Sequence, residues 1–212
     1  YSIGEWYKRG FGGEEKKNQA VEWLERAARK GNTCAMYSLG KEYSNGCLGL
    51  LQSWTKANEL YTLAADKGNA EARYSLGNSY YFGRGELAID FNRCVELWEQ
   101  SAKQGAINGQ FSLARIYHSG SNDGPPMTIP VNPHLRFRWD LKAAKSGHVQ
   151  SMVNIGFFYY EGDGVEQNLE SAFEWFTKSA EMDDSLAQFM LGSCFEDGEG
   201  VDVDLVQAMH WY

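Results

Sequence analysis

Only four cysteines, Cys34, Cys47, Cys94 and Cys194, occur in 212 residues, and no two stand in CxxC spacing. A disulfide framework or a zinc site carries paired or recurring cysteines. These four therefore read as free thiols, which favours a reducing compartment (cytoplasm or organelle interior) over secretion. No apolar run reaches 18 residues, so the sequence holds no transmembrane helix. Cations are scarce as well: 20 Lys and Arg face 28 Asp and Glu, a formal net charge of −8. A reader of the nucleic-acid backbone needs clustered Lys and Arg to displace counterions, and that function is excluded. His118, His134, His148 and His210 are scattered, with no i, i+4 pair and no HExxH. A GxSxG elbow, a Walker loop and a Rossmann fingerprint are equally absent. No metal, nucleotide or other cofactor is expected, and no enzymatic activity.

What is present is material for a core. Apolar residues make up 43% and aromatics 14%, with seven Trp, which is the composition of a folded chain. Charge is uneven: residues 1–106 carry 14 Lys and Arg against 13 Asp and Glu, whereas 107–212 carry 6 against 15. The second half is expected to be negative.

Two short signatures recur. One reads Tyr1-Ser-Ile-Gly4, Tyr37-Ser-Leu-Gly40, Tyr74-Ser-Leu-Gly77, Phe111-Ser-Leu-Ala114, Val153-Asn-Ile-Gly156 and Phe189-Met-Leu-Gly192, with steps of 36, 37, 37, 42 and 36 residues. The other ends at Ala28, Ala65, Ala102, Ala144 and Ala180, with steps of 37, 37, 42 and 36. Two motifs that stay in phase and absorb the same long step mark stacked supersecondary units. Ala35, Leu39 and Tyr43 follow i, i+4, i+8 on one helical face. Gly40 and its equivalents permit close approach of a neighbouring helix. Gly83-Arg-Gly85, Gly162-Asp-Gly164 and Gly198-Glu-Gly200 then make a tight turn. A second helix follows, as in Ala172-Phe-Glu-Trp175-Phe176-Thr-Lys-Ser-Ala180. It stops at Gly31, Gly68, Gly105 and Gly147, suited to a left-handed C′ position, after which Asn32 and Asn69 N-cap the next helix. His148 follows Gly147 where Asn stands elsewhere, and reads as a cap.

The expected fold is all-α, a right-handed superhelical α/α solenoid of about five and a half two-helix repeats. A single array spans 1–212, with units near 1–32, 33–69, 70–106, 107–148, 149–184 and 185–212. Helix pairs are expected near 33–45/54–67, 70–82/91–104, 107–118/134–146, 149–160/168–181 and 185–195/203–212. Neither end reads as a polar cap, so the array is expected to be a piece of a longer one.

The order small-x-x-x-Leu-Gly-x-x-Tyr, Gly-x-Gly, Ala-x-x-Trp, Ala-Ala-x-x-Gly resembles the Sel-1-like repeat family over essentially the whole chain, and most strongly at 70–105 and 149–212. Tetratricopeptide repeats keep a 34-residue period with Pro near the end of the second helix, whereas Gly stands there in this sequence. Ala114 for Gly, and Gly46-Cys-Leu-Gly49 for the tight turn, depart from the pattern. The resemblance implies a protein–protein scaffold or adaptor. Its members assemble membrane-associated degradation machinery, activate chitin synthase and support bacterial envelope or signalling complexes. A structural accessory subunit of a large assembly is the alternative. An enzyme of the cysteine-rich bacterial type is the weakest reading, since the paired cysteines are missing.

Candidate contact residues come from the helical wheel and from two irregular loops. If Ala35, Leu39 and Tyr43 face the stack, Ser38 and Glu42 lie roughly 100° away. The equivalent pairs are Ser75/Ser79, Ser112/Ile116, Asn154/Phe158 and Met190/Cys194. This row is read as a concave groove for an extended peptide, polar at first and anchored by Phe158. Residues 121–133 hold all four prolines and either present Met127, Ile129 and Val131 or fold them back onto the helices. The apolar loop Cys47–Trp54 either packs or exposes a patch that includes Trp54. The acidic turns Glu161–Gly164 and Glu196–Gly200 lack the register of an EF-hand. They read as a solvated edge attractive to a basic partner.

Overall fold

The computed structural model describes residues 13–120 and 129–212, and every regular element among them is a helix. The helices are α1 (Gly13–Arg29), α2 (Thr33–Asn45), α3 (Trp54–Asp66), α4 (Ala70–Phe82), α5 (Phe91–Lys103), α6 (Ile107–Ser119), α7 (Pro133–Lys145), α8 (Val149–Glu161), α9 (Leu169–Ala180), α10 (Ser185–Asp197) and α11 (Leu205–Trp211). They pair as the periodicity predicts, with ends within about two residues. The signature at Tyr1–Gly4 and Met127 lie outside the described residues.

Capping explains where the helices start. Asn32, Asn69 and His148 accept from the N–H of Ala35, Ala72 and Ser151. The second helices α3, α5, α7, α9 and α11 are capped too, by Ser53, Asp90, Asn132, Asn168 and Asp204. Each of these five also donates its own N–H to a carbonyl near the end of the preceding helix: Tyr43, Tyr80, Tyr117, Tyr159 or Phe195, at 2.8–3.1 Å. The proline-containing insertion leaves this anchor intact, since Asn132 still reaches Tyr117.

The chain divides into two compact units, residues 1–109 and 110–212. In the first, Leu24, Ala35, Leu39, Ala57, Tyr61, Ala72 and Leu76 belong to one buried cluster. In the second, Ala144, Ile155 and Phe158 form one cluster. Val153, Ala187 and Leu191 form another, and Ala172, Phe176 and Cys194 a third.

The first-helix glycine accommodates the second helix of its own repeat. A Cβ on Gly40 would stand 2.7 Å from the Tyr61 ring, and one on Gly77 2.6 Å from the Trp98 ring. Gly156 meets Phe176 and Gly192 meets Tyr212 in the same manner. In the fourth repeat these two registers hold Ala114 and Asp140. The second glycine of each tight turn has another role. Gly85, Gly164 and Gly200 have φ of 71–73° and rest on the first residues of the preceding second helix, at Trp54–Thr55, Pro133 and Leu169–Glu170. A Cβ would strike backbone at Gly164 and Gly200, and the Asn58 side chain at Gly85.

The apolar loop divides its residues. Leu48 and Leu50 pack on the core, and Leu51 is 89% exposed. In the proline segment, Ile129 is buried and Val131 exposed.

Candidate functional site

The row assigned to a peptide groove is internal. Ser38, Glu42, Ser79, Ser112, Ile116 and Phe158 are buried, none more than 8% exposed. The physical reason is that a first helix is covered on two flanks. In α2, residues 35, 36, 38, 39, 40, 42 and 44 are buried, an arc of roughly 240° at 3.6 residues per turn. A position 100° from the core stripe is therefore still inside. Phe158 meets the Phe137 ring edge-on at 5.5 Å and lies under the Arg136 guanidinium at 4.5 Å. Ile129 is also buried and folds back onto the helices, so it presents no surface to a partner. Ser75, Asn154 and Trp54 are half-buried.

Asn154 has a partner that periodicity does not reveal. Asp140 on α7 is 1% exposed. It accepts from Ser151 Oγ at 2.6 Å and from Asn154 Nδ2 at 3.2 Å, with Arg136 Nε 4.0 Å away. Burial pushes its carboxyl above the usual carboxylate range, against the pull of those two hydrogen bonds and of Arg136. His148 Nδ1 stands 3.0 Å from Ser151 Oγ. A His–Ser–Asp contact of this kind is not a nucleophile arrangement. Ser151 is fully buried, and its hydroxyl points at the carboxylate. Burial also holds the His148 imidazole below its ordinary range.

The thiols divide by depth. Cys34 and Cys47 are exposed, Cys94 and Cys194 buried, and all four are free. Burial pushes Cys94 up and Cys194 up to about 11, so both stay protonated at neutral pH, poor nucleophiles. Among the described residues no group of three His, Cys, Asp or Glu side chains is placed to hold a metal. No helix among them is long and apolar enough to cross a membrane.

The surface offers shallow grooves. In the first unit, one of about 370 Å³ opens between α1, α2 and α3. Met36, Leu39 and Leu60 are among its lining, and Glu25, Arg29, Lys56 and Glu59 supply its charges. Arg29 is paired with Glu25 at 2.8 Å, and Lys56 sits over the Tyr43 ring.

A family model for the Sel1 repeat matches residues 1–32, 35–69, 70–105, 107–148, 149–184 and 185–212. The chain belongs to the Sel1 repeat family. Among solved structures, a protective antigen of uropathogenic Escherichia coli displaying an SLR fold is 33% identical at a TM-score of 0.86, over 99% of this chain and 43% of that one. A Sel1 repeat protein from Oxalobacter formigenes is 26% identical at 0.80, over 93% and 79%. An immunity protein from Pseudomonas aeruginosa, 20% identical at 0.54 over 92% and 68%, shares the fold alone. No curated protein matches the chain in sequence. The chain spans less than half the length of the Escherichia coli relative. Sel1 repeats are generally non-catalytic scaffolds that bind other proteins.

Proposed function

We propose that this Sel1 chain is a non-catalytic adaptor whose repeats hold a protein or peptide partner. The observation that carries this reading is that Sel1 repeats account for nearly every residue, in a family whose repeats generally bind proteins. The grooves, the exposed Leu51 and the half-buried Trp54 at the start of α3 are its contact surface, in place of the buried row. The excess of acid after residue 107 favours a partner with a basic face and speeds encounter at low salt. Four free thiols fit a reducing compartment.

The test is to capture a partner on the immobilised chain, purify it, and titrate the two calorimetrically at 50 and 300 mM salt. Saturable binding that weakens with salt, with the partner's intact mass unchanged, supports an adaptor. Covalent change in the partner, or no saturable binding at either salt, rejects it.

A further inference from the structure

A second groove in the first unit, of about 550 Å³, runs along the other flank of α3. Thr55, Asn58, Glu59 and Leu63 of α3 line it, with Glu86 and Leu87 from the segment after α4. Two independent features give it a ligand chemistry.

The first is Asn58, which is only 7% exposed. Its Nδ2 donates to the Arg84 carbonyl at 2.8 Å, which fixes the amide's orientation. Its Oδ1 is buried with no hydrogen-bond partner. The same register holds Val95, Phe137 and Phe173 in α5, α7 and α9, so the repeat does not require a polar residue there. An unpaired acceptor at that depth destabilises the free protein and is relieved by an arriving N–H.

The second feature is charge. Glu59 and Glu86 line the groove, and no Lys or Arg does. The nearby cations are committed to rings: Arg84 lies over Trp54 at 4.3 Å and Phe82 at 4.5 Å, and Lys56 over Tyr43 at 5.1 Å. Leu63 and Leu87 supply apolar wall for the methylene stem of a long cationic side chain.

We propose that this groove receives a lysine or arginine side chain of the protein partner. Its stem lies on Leu63 and Leu87 and its charge sits against Glu59 and Glu86; Asn58 Oδ1, shut off from solvent in the free chain, takes a ligand N–H once the groove floor shifts to uncover it. This inference rests on the adaptor reading and supplies the chemistry of one contact.

The probe is a blocked pentapeptide, acetyl-Ala-Leu-Lys-Leu-Ala-amide, titrated into the ¹⁵N-labelled chain beside its norleucine counterpart. The lysine peptide is expected to shift the Asn58 side-chain amide and the backbone amides of Thr55, Glu59 and Leu87. The uncharged peptide should bind about tenfold more weakly, the upper range for a pair of exposed ion pairs. Glu59→Gln with Glu86→Gln, both at exposed positions, should erase that difference and leave helicity unchanged. Asn58→Val should weaken both peptides by the same factor. Equal binding of the two peptides by the parent, or shifts confined to other repeats, overturns the groove. A partner protein that binds the doubly substituted chain as tightly as the parent also overturns it, while leaving the adaptor reading in place. Lysine-selective shifts at Asn58 support the groove even where no partner is captured.

Discussion

Asp140 in the fourth repeat and Phe176 in the fifth occupy the same register of successive second helices, and both are buried. Phe176 lies against Gly156, close enough that no Cβ fits between them. Asp140 goes with Ala114 in that register, and its carboxylate is held by Ser151 and Asn154 from the following first helix. At the positions equivalent to Ser151 and Asn154 in the next repeat stand Ala187 and Met190. The comparison teaches that this register is not a place for an aromatic as such. It is a volume that must be filled and, where polar, fully paired. The donors come from the neighbouring repeat, so the choice at one seam constrains the sequence one repeat on.

The largest effect should come from exchanging the two solutions. Phe176→Ala is expected to cost about 3–5 kcal/mol through lost burial and the cavity left behind. Phe176→Asp should cost more still, because Ala187 and Met190 offer the carboxylate no side-chain donor. Adding Ala187→Ser and Met190→Asn to that variant should return part of the loss. Urea unfolding followed by circular dichroism measures all three. Recovery of nothing by the added donors would break the comparison.

Next in size is Ser151→Ala, which removes the short 2.6 Å hydrogen bond to Asp140. A hydrogen bond to a charged acceptor contributes about 1.5–3 kcal/mol, and the same unfolding measurement should find a loss in that range. The cap contact from the Ser151 N–H to His148 remains, while the hydroxyl's 3.0 Å contact with His148 Nδ1 is lost together with the bond to Asp140.

A smaller effect lies in pH. Asp140 has a folded pKa raised above its ordinary value of 3.8, chiefly by burial. The unfolded chain therefore releases this proton first as pH rises, and folding binds it more tightly. Its contribution to stability is fully present below about pH 3.8 and is lost as pH climbs through the higher folded value. The groups that face it are Arg136 on its own helix and Ser151 and Asn154 from α8, with His148 behind Ser151. Asp140→Asn removes the titration. The melting temperature of the parent minus that of Asp140→Asn should fall as pH is raised from 3 to 7. A difference that is flat or rises means that the hydrogen bonds outweigh burial.

The repeat and its helix ends were legible because they rest on local rules. Glycine and small residues recur in phase at 36–42 residues, and Asn caps and C′ glycines mark the boundaries. The groove assigned to Asn154 and Phe158 failed for a non-local reason. One core stripe on a helical wheel says nothing of a second neighbour on the adjacent flank, and that neighbour covers Ser38, Ser79 and Phe158. The bond from Asn154 to Asp140 spans 14 residues between two helices, and no periodicity encodes it. Asn58 was missed for a related reason. An asparagine amid polar helix residues carries no mark of burial, although its apolar equivalents Val95, Phe137 and Phe173 held the signal.

The smallest effect concerns how the two second helices end. α7 closes on Gly147 with φ 92°, as Gly31, Gly68 and Gly105 close the helices before it, whereas α9 closes on Asp183 with φ 62°. A left-handed conformation is free of cost for glycine and costs other residues about 1–2 kcal/mol, somewhat less for Asp. Glycine's greater freedom in the unfolded chain offsets part of any gain. Asp183→Gly should therefore stabilise the protein by about 0.5–1 kcal/mol. The backbone bond from residue 183 to Ala180 does not depend on the side chain, and Asp184 still caps α10. Charge is the confounding cause, since Glu181 and Asp184 stand beside Asp183. Asp183→Asn removes the same charge and keeps a side chain at positive φ. If the strain account is right, Asp183→Gly gains clearly more than Asp183→Asn in thermal unfolding. Equal gains would mean that like-charge repulsion, not backbone strain, distinguishes the ends of α9 and α7.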